Sequence, residues 1–153
     1  MLKPGDQAPD FVLPDADMAM SDSADLAGSP YVIYFYPKDD TPGCTMEGIE
    51  FTELMAEFES LGVPVIGVSK DSCVSHAAFR DKYGLSIRLL ADVECQLCEA
   101  YGVWQEKEKN GERKMGIVRS TFIVDGGGSI RHALYDVKPK GHAEQVLELV
   151  RAL

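Results

Sequence analysis

Nowhere does this chain run apolar for the roughly 20 residues that a bilayer-spanning helix needs. Its first residues, Met1-Leu-Lys-Pro-Gly-Asp6, carry no apolar signal region. A membrane-spanning helix is not expected, and a cytoplasmic location is. Positive charge is also short: 15 Lys and Arg against 25 Asp and Glu leave a net charge of −10. Nucleic acid and anionic membrane surfaces call for clustered cations, so neither is expected as a partner. There is no internal repeat and no low-complexity linker. With 153 residues, 45% hydrophobic and 26% charged, the chain fits one globular domain over 1–153. Histidine is sparse as well: His76, His132 and His142 stand singly, without metal-ligand spacing, and are expected at or near the surface. Only four cysteines are present. In an intracellular chain they are expected to be reduced, catalytic or redox-sensing rather than structural staples.

What is there begins with buried strands. Tyr31–Tyr36 is apolar on both faces, as is Val63–Val68, and a shorter strand is predicted over Ile87–Leu90. Between the first two, Phe51, Leu54, Met55, Phe58 and Leu61 recur at helical spacing, with Glu47, Glu50, Glu53 and Glu57 as a polar face. One long helix from Met46 to Leu61 is predicted, ended by Gly62. Further helices are expected over Ser72–Tyr83, Glu94–Tyr101 and around Val146–Leu153, and Phe11–Leu13 is a short strand candidate. Thr121–Val124 and Ile130–Tyr135 flank the turn signal Asp125-Gly-Gly-Gly-Ser129 and read as an antiparallel hairpin. The order strand–helix–strand–helix, then hairpin and helix, predicts an α/β thioredoxin-like fold: a mixed central sheet flanked by helices.

The chemistry concentrates in Pro37-Lys-Asp-Asp-Thr41-Pro-Gly-Cys44-Thr45, between the first buried strand and the long helix. The first N–H groups of a helix lack partners inside it and carry a partial positive charge. A sulfur at such a helix mouth is favoured as the anion, the form that acts as a nucleophile. Asp39 and Asp40 would oppose that anion if they faced it, so both are expected to point to solvent.

The segment Pro37-x-x-x-Thr41-x-x-Cys44 resembles the active-site signature of the peroxiredoxins. The wider wording Tyr34-Phe-Tyr-Pro-Lys-Asp-Asp-Thr-Pro-Gly-Cys-Thr45 resembles their bacterioferritin comigratory (BCP/PrxQ) subfamily. Gly5-Asp-x-Ala-Pro9, Phe11-x-Leu-Pro14, Gly102-Val-Trp104 and Gly116-Ile-x-Arg119-Ser-Thr-Phe122 extend the match over most of the chain. The resemblance implies a cofactor-free and metal-free thiol peroxidase acting on hydrogen peroxide and organic hydroperoxides. Thioredoxin or another thiol would recycle it, and a monomer is favoured, dimers also being known. It implies Cys44 as the peroxidatic nucleophile that becomes a sulfenic acid. Thr41 would position the peroxide and Pro37 would shield the thiolate. Arg119 would bring a fixed guanidinium to the sulfur and the developing negative oxygen. The Gly43 and Cys44 N–H groups are further candidate donors.

The chain departs from the subfamily at the resolving cysteine. Five residues after Cys44, where many members carry it, stands Ile49. Cys73 falls on the next helix, but not at the usual alternative position, which aligns near Arg80. Cys98 matches a cysteine of no evident role in relatives, and Cys95 has no counterpart. Three routes stay open, in order of preference: an external thiol or second subunit, Cys73, and Cys98 or Cys95. Two other readings compete. Cys95-x-x-Cys98 could be the dithiol of a thiol–disulfide oxidoreductase, although it does not open the helix after a central strand. A peroxide sensor switched by Cys44 oxidation is the other.

Overall fold

The computed structural model describes residues 1–153. Strands β1 (Val12–Pro14) and β2 (Met20–Asp22) form a small antiparallel pair ahead of β3 (Tyr31–Phe35). Next come α1 (Pro42–Glu53), α2 (Met55–Ser60), β4 (Val65–Ser69), α3 (Cys73–Tyr83), β5 (Arg88–Ala91) and α4 (Gln96–Ala100). The chain closes with β6 (Trp104–Lys109), β7 (Glu112–Ile117), β8 (Ser120–Val124), β9 (Ile130–Leu134) and α5 (His142–Arg151). The central sheet has the order β5-β4-β3-β8-β9. β3, β4 and β5 run parallel, as β–α–β crossovers require, while β8 and β9 add antiparallel on the other side. The expected mixed sheet with flanking helices is therefore present.

Alternation along β3 splits the core in two. Val32 and Tyr34, continued by Tyr36, face Phe51 of α1, Phe58 of α2, Phe79 of α3 and Val146, Leu147 and Val150 of α5. Tyr31, Ile33 and Phe35 face the other way, into Phe11, Leu97, Cys98, Tyr101, Val103 and Phe122. All five β3 residues are buried, which is why the run shows no polar alternation.

The long helix needed correction. The helix predicted over Met46–Leu61 starts earlier, at Pro42, whose missing N–H and fixed φ suit a first turn. It then breaks at Leu54 (φ −97°, ψ 5°), and α2 restarts one residue later. The apolar spacing survives this break, so periodicity alone could not find it. The charged run Glu106–Arg113 is the tip of the exposed β6–β7 hairpin. Helix α3 closes as expected at Gly84, which takes the left-handed φ of 63° that a side chain would resist.

Phe51 fastens α1 to the sheet. Its ring stacks on Tyr34 at 4.7 Å between centroids and tilts against Phe58 at 6.1 Å. Phe51→Ala empties that seat and should cost about 3–5 kcal/mol, read as a lower urea midpoint with an unchanged slope. A loss under about 1 kcal/mol would show that α1 is held elsewhere.

Candidate active site

Cys44 lies in the first turn of α1, three residues after the N-cap Thr41, and is only 3% exposed. The Thr41 hydroxyl donates to the Lys38 carbonyl oxygen at 2.8 Å instead of capping the helix, which leaves its oxygen free to accept. The N–H groups of Gly43 and Cys44 have no acceptor within the helix. Arg119 reaches this helix mouth from the residue just before β8. Its Nη2 donates to Cys44 Sγ at 3.4 Å and its Nη1 donates to Glu47 Oε1 at 2.7 Å. Gly43 makes room for this arginine: a Cβ there would stand 3.0 Å from Nη2. Pro37, half-buried at the end of β3, and Arg119 line one open groove of about 550 Å³ with Lys107 and Asp136. Thr41, Cys44 and Arg119 thus converge on the mouth of α1, with Pro37 beside them.

Glu47 was expected on the solvated face of the helix; it is fully buried. Burial pushes its carboxyl up to about 7, against the downward pull of the Arg119 guanidinium. Its second oxygen, Oε2, has no partner. The sequence hid Glu47 among the helix's other glutamates. The signal that could have found it is spacing: it stands one turn after Cys44 and one turn before Phe51, both buried.

Asp40 is exposed, as expected, and pairs with Lys82 at 2.8 Å and with the Tyr83 hydroxyl. Asp39 is not: it turns inward and is 7% exposed. Tyr36 donates to its Oδ1 at 2.6 Å, Ser75 to its Oδ2 at 2.8 Å, and its own N–H donates to Asp71 Oδ2 at 2.8 Å. His76, also buried, approaches Asp39 Oδ2 through Nδ1 at 2.8 Å and the Leu90 carbonyl oxygen through Nε2 at 2.9 Å. A carbonyl only accepts, so Nε2 carries a proton, and a further proton must lie between Nδ1 and Asp39. This cluster ties the loop before Cys44 to the start of α3.

His142 is buried too, with Nε2 accepting from Thr121 at 2.7 Å and Nδ1 donating to Gln145 Oε1 at 3.2 Å. Burial lowers its pKa, in keeping with that neutral form. Only His132 is partly exposed, so the expectation of surface histidines fails for two of the three.

The remaining cysteines lie apart. Cys73 opens α3 and is partly exposed. Cys95 and Cys98 are buried at the start of α4, in the core on the opposite face of the sheet from Cys44. Burial pushes both thiols up, Cys98 far up, the reverse of what an attacking reductase cysteine needs. Two clusters have metal-ligand atoms, Asp39–Asp71–His76 and Asp92–Cys95–Cys98. In both, hydrogen bonds from the chain itself already engage every carboxylate group.

A family model, the AhpC/TSA family, matches residues 4–133. The chain belongs to this peroxiredoxin family. It is 39% identical over 150 residues to Peroxiredoxin Bcp of Escherichia coli, covering 98% of this chain and 96% of that one. A cysteine-to-serine variant of PrxQ from Xylella fastidiosa superposes with a TM-score of 0.94 at 36% identity, covering 99% and 97% of the two chains. The bacterioferritin comigratory protein of Xanthomonas campestris, described for its alkyl peroxide reduction activity, gives 0.88 at 40% identity over 93% and 90%. This peroxiredoxin is of the Bcp/PrxQ subfamily and is a thiol peroxidase. No helix in it is long and apolar enough to cross a membrane.

The raised Glu47 carboxyl makes stability depend on pH. Folded, it releases its proton at about 7, against an ordinary value of 4.5. Between those values the folded state holds the extra proton, so this contribution is full below about 4.5 and is lost as pH rises through about 7. Urea midpoints at about pH 5 and about pH 8 should fall for the wild type and fall less for Glu47→Gln. Equal falls in both proteins would show that Glu47 does not hold the proton.

Proposed function

We propose that this peroxiredoxin reduces hydrogen peroxide and alkyl hydroperoxides with Cys44 as the peroxidatic nucleophile. The observation that carries this reading is the Arg119 contact to Cys44 Sγ at 3.4 Å, made at the positive end of α1. The thiolate attacks one peroxide oxygen; an S–O bond forms, the O–O bond breaks, and an alkoxide or hydroxide leaves and takes a proton. Cys44 becomes a sulfenic acid. Arg119 faces both the sulfur and the space where charge develops, and Glu47 holds the guanidinium in that orientation. Thr41, its O–H donated to the Lys38 carbonyl oxygen, presents an acceptor to the peroxide O–H. Pro37 keeps water off one side of the sulfur. The subfamily likeness to a relative with alkyl peroxide reduction activity supports the substrate class.

For recycling, we propose that an external thiol, of thioredoxin or a similar donor, attacks the sulfenic acid directly. It releases water and forms a mixed disulfide that a second thiol resolves. Ile49 stands at one usual resolving position, and the sheet separates Cys95 and Cys98 from Cys44. Cys73 is the one other cysteine on the Cys44 side, at the exposed start of α3.

Cys44→Ser should abolish peroxide consumption, and Arg119→Ala should lower kcat/KM by roughly a hundred- to a thousandfold, measured with a thiol donor in excess. Arg119→Lys should recover only part of it, since an ammonium cannot serve sulfur and Glu47 in one plane. Retained activity in Cys44→Ser would refute the assignment. After one equivalent of peroxide, intact mass should show a Cys44 sulfenic acid trapped by dimedone in wild type and Cys73→Ser alike. An internal disulfide lost only in Cys73→Ser would instead make Cys73 the resolving residue.

A further inference from the structure

Cys95 and Cys98 are used by no step above, yet they are placed for chemistry with each other. Cys95 is the N-cap of α4, held at a left-handed φ of 62°, and Cys98 lies in the first turn. Their sulfurs fall within 4.8 Å of one another. Cα atoms three residues apart at a helix start lie inside the roughly 4.4–6.8 Å that a disulfide spans. The backbone holds Asp92 in place: its Oδ1 and Oδ2 accept the Leu97 and Cys98 N–H groups at 3.3 and 2.8 Å, and its carboxylate also accepts from the Cys98 thiol. The two thiols differ in access, Cys95 being 6% exposed and Cys98 0%. The Lys70 ammonium, 4.9 Å over the Trp104 ring, contributes positive charge on the Cys95 side.

We propose that Cys95 and Cys98 form a second redox site, on the opposite face of the sheet from Cys44, which closes into an intramolecular disulfide when hydroperoxide is in excess. The outer sulfur, Cys95, attacks the peroxide; an S–O bond forms, the O–O bond breaks, and an alcohol or water leaves. Cys98 then attacks the Cys95 sulfur, the S–S bond forms, and water departs with the proton of the Cys98 thiol. The dithiol loses two hydrogens and one hydroperoxide is reduced.

Burial keeps both sulfurs as thiols, so this oxidation is slow beside that of Cys44. The reverse is slow for the same reasons. An attacking thiol must reach a nearly closed site, and a thiol with a raised pKa is a poor leaving group. Oxidation that is slow to enter and slow to leave records sustained peroxide and not each turnover.

The test uses the full chain carrying Cys44→Ser and Cys73→Ser, so that only this pair can react, and does not depend on the role given to Cys44. After excess hydrogen peroxide, native protein is denatured, alkylated and weighed. Two thiols should be blocked before treatment and none after, with the mass of two hydrogens lost and a Cys95–Cys98 link found by peptide mapping. Dithiothreitol should restore both thiols in denaturant and far more slowly in the folded protein. A further Cys95→Ser change should leave Cys98 free to alkylate. Two thiols still free after peroxide, oxygen added to either sulfur in place of the link, or zinc found bound to the thiolates would each overturn the proposal.

Discussion

One guanidinium organises the candidate active site. Arg119 holds Cys44 Sγ with one nitrogen and Glu47 with another, and it does so from the residue that leads into β8, the strand paired directly with β3. Three elements that are distant in sequence must therefore be correctly packed before the sulfur has its partner. β8 fixes where the arginine starts, and the α1 mouth fixes the sulfur. Phe51 on Tyr34 fixes α1 against the sheet. Arginine is the residue able to do this, because its planar fork serves two acceptors at once and stays charged when half-buried.

Two further devices hold the loop in front of Cys44. Thr41 closes a turn onto Lys38, and Asp39 is drawn inward by Tyr36, Ser75 and His76. The second couples the β3–α1 loop to α3, so the two crossover helices on this face share a polar seam as well as an apolar one. Glu50 adds a link of the same kind, accepting the Gly141 N–H at the start of α5. Buried polar groups of this sort are costly unless every member is satisfied, and a satisfied network specifies one packing strongly.

Much of this was readable from residues alone. The doubly apolar Tyr31–Tyr36 run, the Pro/Gly loop and the Asp125–Ser129 turn signal carry local rules, so the central strands, the thiol at a helix mouth and the hairpin were all legible. Arg119 was legible only through its resemblance to a family pattern, since a single arginine before a strand has no local signature. What could not be read was which face a charged residue takes. Glu47 and Asp39 look like surface carboxylates in the sequence, and they are buried because partners 72 and 37 residues away meet them. The break at Leu54 was hidden for a related reason: a helix can restart in phase and keep its apolar spacing across the interruption.

With Cys44 as the proposed nucleophile, the near-complete enclosure of its sulfur would separate the two halves of the catalytic cycle by size. Pro37 and Arg119 line an open groove roomy enough for a peroxide of a few atoms, whereas a folded donor protein has little surface sulfur to grasp while Cys44 is 3% exposed. On the proposed role of Cys44, oxidation fits the closed molecule, whereas reduction by a macromolecular thiol would call for the first turn of α1 to open and release the Arg119 contact. The packing proposed to sharpen attack on peroxide would then slow regeneration.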